Sequence, residues 1–464
     1  MSSSGINTPR DKNAIEQAAR WIREQVSEPA SDSYDSIIID DQVYDALHDA
    51  LRESNNQPGN LLKVYPPKEN GAISAGVDFW QTMHDPRKQR VFGAFISNVS
   101  PWHSFEMWYD GGEVGFYCRP PNEPLTDKVR SQLRNNYPDV EVETLRDFDD
   151  QFPKFEKGWY ASAAKIRPQK AFWYPISSPL TEQRDEATVG EQSDPYGDMT
   201  TNMVVENSHL NDGTRVSKDD ASIILQVMIQ SARDCWTDDC IWGKDMREVA
   251  NALRQSEYRV SNVPGEDVYE VEAGRKERMA ARTIRKQENI KGYYVGMRVI
   301  AMSKYEEVAV RRAREVAADC EDFFESFTRQ RLRPISLPAE VIPQTLVDTG
   351  WRRHEISTRD RIARTNPEKF ILTAHGVGAI AHLPNEEINE PAVNWSTVET
   401  GSGAPVDTTE VEDAMARDPA QEQRRRATFD ADEYEQEVPT SHLEIETEDS
   451  LRDRIQRRIQ RFLD

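Results

Sequence analysis

Ser104 to Leu145 constrains the fold more than any other stretch, because three hydrophobic periods follow one another there without a gap. Phe105, Met107 and Tyr109, then Val114, Phe116 and Cys118, alternate as two short strands do, and Asp110-Gly111-Gly112 between them has the residues of a tight hairpin. Pro120-Pro121 halts the second strand. Leu125, Val129 and Leu133 then recur at helical spacing until Asn135-Asn136-Tyr137-Pro138, and Val140 and Val142 start a further strand. Upstream, Leu61 to Tyr65 reads as a strand and Val77 to Met83 as part of a helix. The order is therefore β-α-β-β-α-β, the ferredoxin-like split βαβ.

Similar material returns later. Ile223, Leu225, Val227 and Ile229 alternate with Ile224, Gln226 and Met228, which predicts a strand buried on both faces. Asp245 to Leu253 and Glu272 to Glu288 read as helices, Gly292 to Met302 as a strand, and Tyr305 to Phe327 as a helix with Val308, Ala309, Ala313, Val316, Ala317, Cys320, Phe323, Phe324 and Phe327 in one stripe. The predicted class is α/β (α+β): two ferredoxin-like or related units and a disordered acidic tail. The predicted boundaries are a helical segment over 1–59, a first unit over 60–176 with strand character through Ala171 to Ile176, a linker over 177–220 and a second unit over 221–337. A closing element over 338–395 ends in His-Leu-Pro, followed by the tail over 396–445 and an amphipathic helix over 446–464.

Composition narrows the class of function. Asp and Glu number 81 against 58 Lys and Arg, a net charge of -23 spread along the chain. Such a surface solvates well in strong salt and repels phosphate in weak salt, as a halophilic source would favour. Nucleic acid therefore has access only at local basic stretches: Arg275 to Lys291, Arg311 to Arg333 and Arg352 to Arg364. Within the first, Arg275, Lys276, Arg278, Arg282, Arg285 and Lys286 are the candidate contacts for phosphate or an acidic partner; ion pairing along a solvated helix is the alternative. In the last segment Leu451, Ile455, Ile459 and Phe462 line one side of a helix whose other side is arginine-rich, a candidate docking helix for a partner or an anionic membrane surface. No window has the apolar length of a membrane span, and the N-terminus lacks a signal-peptide core, so a cytoplasmic location is expected.

The usual chemical motifs do not assemble. Cys118, Cys235, Cys240 and Cys320 form no CxxC pair, and His375 and His382 read as polar residues beside a packed turn. Ile37-Ile38-Ile39-Asp40-Asp41 imitates the acid-ended strand of nucleotide hydrolases without a phosphate loop. Gly243-Lys244 lacks the preceding glycine of that loop, and Thr400-Gly-Ser-Gly-Ala-Pro405 puts alanine where its lysine belongs. No nucleophile elbow occurs. No catalytic residue, cofactor or metal is therefore expected.

Gly115-Phe-Tyr-Cys-Arg-Pro-Pro121, followed by Leu133-Arg-Asn-Asn-Tyr-Pro-Asp-Val-Glu-Val142, resembles the region preceding the motor in HerA/FtsK-type conjugation and DNA-transfer ATPases. There an F-Y-x-x-P strand is followed by a helix and a Y-P-x-x-x-V strand. Tyr294-Val-Gly-Met-Arg-Val-Ile-Ala and Leu372-Thr-Ala-His-Gly-Val-Gly-Ala-Ile-Ala-His-Leu-Pro384 are similar to that region's second half, so the resemblance runs from about 60 to 395. In the family the motor follows the His-Leu-Pro element; here an acidic stretch takes its place. The resemblance implies a non-enzymatic accessory or assembly subunit of a DNA-transfer machine, acting with a separately encoded phosphate-loop ATPase. DNA contact, homo-oligomerisation and peripheral attachment at the inner face of the membrane through the complex are the further partner expectations. Two alternatives stand beside it: a structural protein of a virion or other large assembly, and a metal-dependent nucleic-acid enzyme using Asp40 and Asp41.

Overall fold

The two-residue strand Ile37–Ile38 (β1) runs almost directly into helix Asp41–Asn55 (α1), so the acid-ended apolar run is a strand end and a helix start. Asp40 caps that helix, its Oδ1 accepting from the Val43 amide at 2.9 Å. This computed structural model describes residues 33–397 apart from 56–58, 92–94, 172, 179–193, 207, 233–245, 255–256, 260–268, 272, 353–369, 387 and 389–390. The N-terminal helix expected around Ile15 to Val26, the acidic tail and the C-terminal helix lie outside the described residues.

Leu61–Tyr65 (β2), Ala72–Met83 (α2), Trp102–Asp110 (β5), Glu113–Arg119 (β6), Glu123–Asn136 (α3) and Glu141–Leu145 (β7) follow, with the hairpin Lys88–Val91 (β3) and Phe95–Asn98 (β4) inserted before β5. The four main strands lie in the order β5-β6-β2-β7, every neighbouring pair antiparallel, which is the ferredoxin-like arrangement. Gly111 and Gly112 have φ of 58° and 93°, the double positive value that a two-residue hairpin of matching twist demands. Asn122 accepts from the Leu125 amide and starts α3.

The second unit is also ferredoxin-like, but its first strand comes earlier than the sequence suggests. Tyr160–Pro168 (β8), Tyr196–Met203 (α4), Ala221–Ser231 (β9), Gly292–Ser303 (β12), Glu306–Asp319 (α7) and Leu332–Ser336 (β13) give the antiparallel order β9-β12-β8-β13. The stretch assigned to the end of the first unit thus opens the second, and the expected linker contains its first crossover helix. Ala161, Ala163 and Ala164 make β8 a weak strand by propensity, so cross-strand pairing decides its conformation. The described residues of the aromatic run, 171 and 173–176, are not in a strand: the Tyr174 amide donates to the Ala171 carbonyl in a turn, and Trp173 and Tyr174 pack against a small separate cluster. Helix α7 stops at Asp319, leaving Phe324 45% exposed, where the apolar stripe predicted burial.

The two units join edge to edge. β5 pairs with β9 from Trp102↔Gln230 to Tyr109↔Ile223, making one antiparallel sheet ordered 4-1-3-2 and then 2-3-1-4 within the units. Met246–Ala252 (α5), the hairpin Glu257–Arg259 (β10) and Tyr269–Val271 (β11), and Arg275–Lys286 (α6) are inserted between β9 and β12. Ile342–Gly350 (α8), Phe370–Thr373 (β14) and Ala374–Ile380 (α9) are the last elements among the described residues, β14 pairing with β12.

Alternation assigns each face its cover. On the first, Leu225, Val227, Val299, Phe105 and Phe116 pack against α2, α3, α4, α7 and α9. On the second, Trp108, Ile224, Ile300 and Met302 pack against α1 and α8, while Tyr294 meets α5 and α6. Among the described residues no helix is long and apolar enough to cross a membrane.

Candidate anion-binding site

Helix α6 carries six cations and one acid in twelve residues. The acid is turned away from them: Glu277 folds back to accept from the Gly274 amide at the helix start. Ala280, Ala281, Thr283 and Ile284 are buried, and Ala281 and Ile284 pack with Met246 and Ala250 of α5 beside Trp173, Tyr294 and Ile371. Gln287 fixes the helix end by donating to the Trp173 carbonyl at 2.7 Å.

The opposite side is basic. Arg275, Lys276, Arg278 and Arg282 are exposed, and among the described residues no carboxylate pairs with any of them. Arg278 Nη1 bonds the Ala273 carbonyl at 2.6 Å, and Arg285 donates to Asn251 Oδ1. Partial burial and the Arg282 charge hold the Lys286 ammonium below its ordinary pKa. Arg275, Arg278, Arg282 and Arg285 recur at three- and four-residue steps, a row about 15 Å long at 1.5 Å rise per residue. Such a row can donate to successive phosphates. The structure thus brings the six predicted contacts together on one helix. Leu451, Ile455, Ile459 and Phe462 lie outside the described residues.

A second polar site, which periodicity did not reveal, lies buried at the seam between the units. Glu106 on β5 faces Gln226 on β9, which faces Arg298 on β12. Glu106 Oε1 accepts from Arg352 Nε at 2.9 Å and Gln226 Nε2 at 3.0 Å, and its Oε2 accepts from Trp108 Nε1 at 2.9 Å. Arg298 Nε donates to Gln226 Oε1 at 2.7 Å and its Nη2 to the Asp348 carbonyl at 2.8 Å. Arg119 bonds Gln151 Oε1 at 3.2 Å and the Ser54 carbonyl. Burial, then the charge of Arg352, pulls the Arg119 guanidinium down to about 9. These bonds tie α1 and α8 to both halves of the sheet, as a joint does. The signal in the sequence is a set of polar residues at inward strand positions, Glu106, Gln226 and Arg298.

Among the remaining sequence candidates, Asp41 and His382 have structural partners. Lys157 Nζ holds Asp41 at 2.8 Å and thereby lowers its pKa. His382 is buried, bonds Asp194 Oδ2 at 2.9 Å and stacks on Tyr196 at 4.2 Å. Burial would raise the Asp194 pKa, but the charge and hydrogen bond of His382 outweigh it and hold the carboxyl below its usual range. Cys235, Cys240, Gly243 and Thr400 lie outside the described residues. Among the described residues no group of three or more His, Cys, Asp or Glu is arranged to hold a metal.

The family model described as Domain of unknown function (DUF8128) matches residues 34–396. No curated protein matches the chain.

Proposed function

The chain belongs to the DUF8128 family, whose match spans both ferredoxin-like units, and from its own chemistry we propose that it is a non-enzymatic accessory or assembly subunit of a DNA-transfer machine. A separately encoded HerA/FtsK-type ATPase supplies the energy. This chain supplies docking faces and a phosphate contact, works in the cytoplasm, and reaches the inner face of the membrane only through the complex or a homo-oligomer.

The observation that carries the reading is the exposed row on α6. In a protein of net charge -23, four neighbouring cations without carboxylate partners among the described residues concentrate positive potential on one helix. Four exposed cations in a row, with no carboxylate partner among the described residues, suit an anionic polymer.

Fluorescence anisotropy of a short labelled duplex, titrated at several salt concentrations, tests it. The wild type is expected to bind with an affinity that falls steeply with salt. The R275Q/K276Q/R278Q/R282Q variant should bind at least about tenfold more weakly, with a log–log salt slope shallower by about 0.9 for each phosphate that is no longer neutralised. Absence of wild-type binding at low salt, or an unchanged variant, would refute the nucleic-acid role. ATPase partnership is read separately, as retention of the purified ATPase on the immobilised full chain.

A further inference from the structure

We infer that the buried seam between the units binds one monovalent anion of halide size, chloride or bromide, at the guanidinium groups of Arg352 and Arg119. Arg119 ends β6, Arg352 follows α8, and each is only 6% exposed. Both bond the same residue: Arg119 Nη1 donates to Gln151 Oε1 at 3.2 Å, and Arg352 Nη2 donates to the Gln151 carbonyl. Arg352 Nε is taken by Glu106 Oε1. Its Nη1 is buried and has no hydrogen-bond partner. Buried donors left in this state are rare in folded proteins, and a water or an ion is the usual acceptor.

Charge decides between those two acceptors. Among the described residues Glu106 is the one carboxylate that this pair of arginines bonds, and the other oxygens they meet, on Gln151 and Ser54, are neutral. At Arg119 the repulsion from Arg352 outweighs the attraction of Glu106, which adds to burial in lowering the guanidinium pKa. A water at Nη1 would complete the hydrogen bonding and leave that excess positive charge in place. A monovalent anion accepts from Nη1 and removes the excess as well. The surroundings limit its size. The Arg352 guanidinium lies 5.9 Å from the centroid of the Trp108 ring, at the limit of cation–π reach, and Trp108 stacks on Tyr117 at 3.7 Å. Ring faces give no donors to the outer oxygens of a sulfate or phosphate, whereas a halide has none to satisfy.

Thermal unfolding of the full chain in potassium chloride and in potassium gluconate, at one ionic strength and pH, tests the site. The melting temperature of the wild type is expected to be higher in chloride by at least about 2 °C, and to rise with the logarithm of chloride concentration. R119Q leaves the bonds of Arg352 in place and removes the second charge, so the difference between the two salts should shrink or vanish. R352K serves in the same way should R119Q fail to fold, because lysine cannot both replace the Glu106 contact and supply Nη1. Crystals grown in bromide should show an anomalous peak within hydrogen-bond reach of Arg352 Nη1. Equal melting temperatures in the two salts, a chloride effect undiminished in the variants, or a site without anomalous signal would each overturn the inference. α6 plays no part in the site, so failure here leaves the reading of that helix as it stands.

Discussion

Glu106 is fully buried, and among the described residues it is the carboxylate to which the seam arginine Arg352 bonds. Glutamine in its place keeps the size but loses the charge and turns an amide donor toward other donors. Removing one partner of a buried ion pair costs about 3–5 kcal/mol, so E106Q should lower stability by that order in urea unfolding at neutral pH. E106M/R352M removes both charges and should recover much of the loss. A cost for E106Q below about 1 kcal/mol would mean the charge is compensated elsewhere. Sequence alternation placed Glu106 on a strand but not in the core, because its partners sit up to 246 positions away. The α6 cations were legible because helical spacing is local.

At the scale of elements, α2 and α9 meet where side chains vanish. A Cβ on Gly378 would lie 2.6 Å from the Val77 backbone nitrogen, and one on Gly76 would lie 2.7 Å from His382 Cβ. Neither neighbour can yield easily, since one is main chain and the other is held by Asp194. G378A is expected to cost about 1–3 kcal/mol by overpacking. Gly197 in α4 has nothing within 4 Å of a built Cβ, so G197A should be neutral or stabilising by up to about 1 kcal/mol. Equal effects of the two in parallel urea titrations would contradict the crossing. Both glycines of the crossing stood in the sequence, but the pairing of residue 76 with 378 belongs to the tertiary fold. The alanine-rich β8 was misplaced for the same reason: its neighbours, not its residues, make it a strand.

For the whole molecule, the charge of -23 bears on stability and on binding in opposite senses. Mutual repulsion among acids opposes the folded state and is screened as ionic strength rises, the screening length shrinking from about 30 Å at 0.01 M to about 3 Å at 1 M. The melting temperature is therefore expected to climb across that salt range. Attraction of a polyanion to α6 falls over the same range. A melting temperature that is flat or declining with potassium chloride would show that paired charges dominate the surface. If α6 holds DNA as proposed, it is expected to do so best at the lowest salt at which the protein is still folded.

The sequence by itself determined the class of fold, the order of the first unit and the basic character of α6, since each rests on residues a few positions apart: alternation, helical spacing, the Gly-Gly turn. Only the tertiary structure decided that β5 pairs with β9 to fuse two units into one sheet, that β8 opens the second unit, and that Glu106, Gln226, Arg298 and Arg352 share one buried network. Strand partners and buried polar contacts are chosen by complementarity between distant segments, and local periodicity carries no record of which segments will meet.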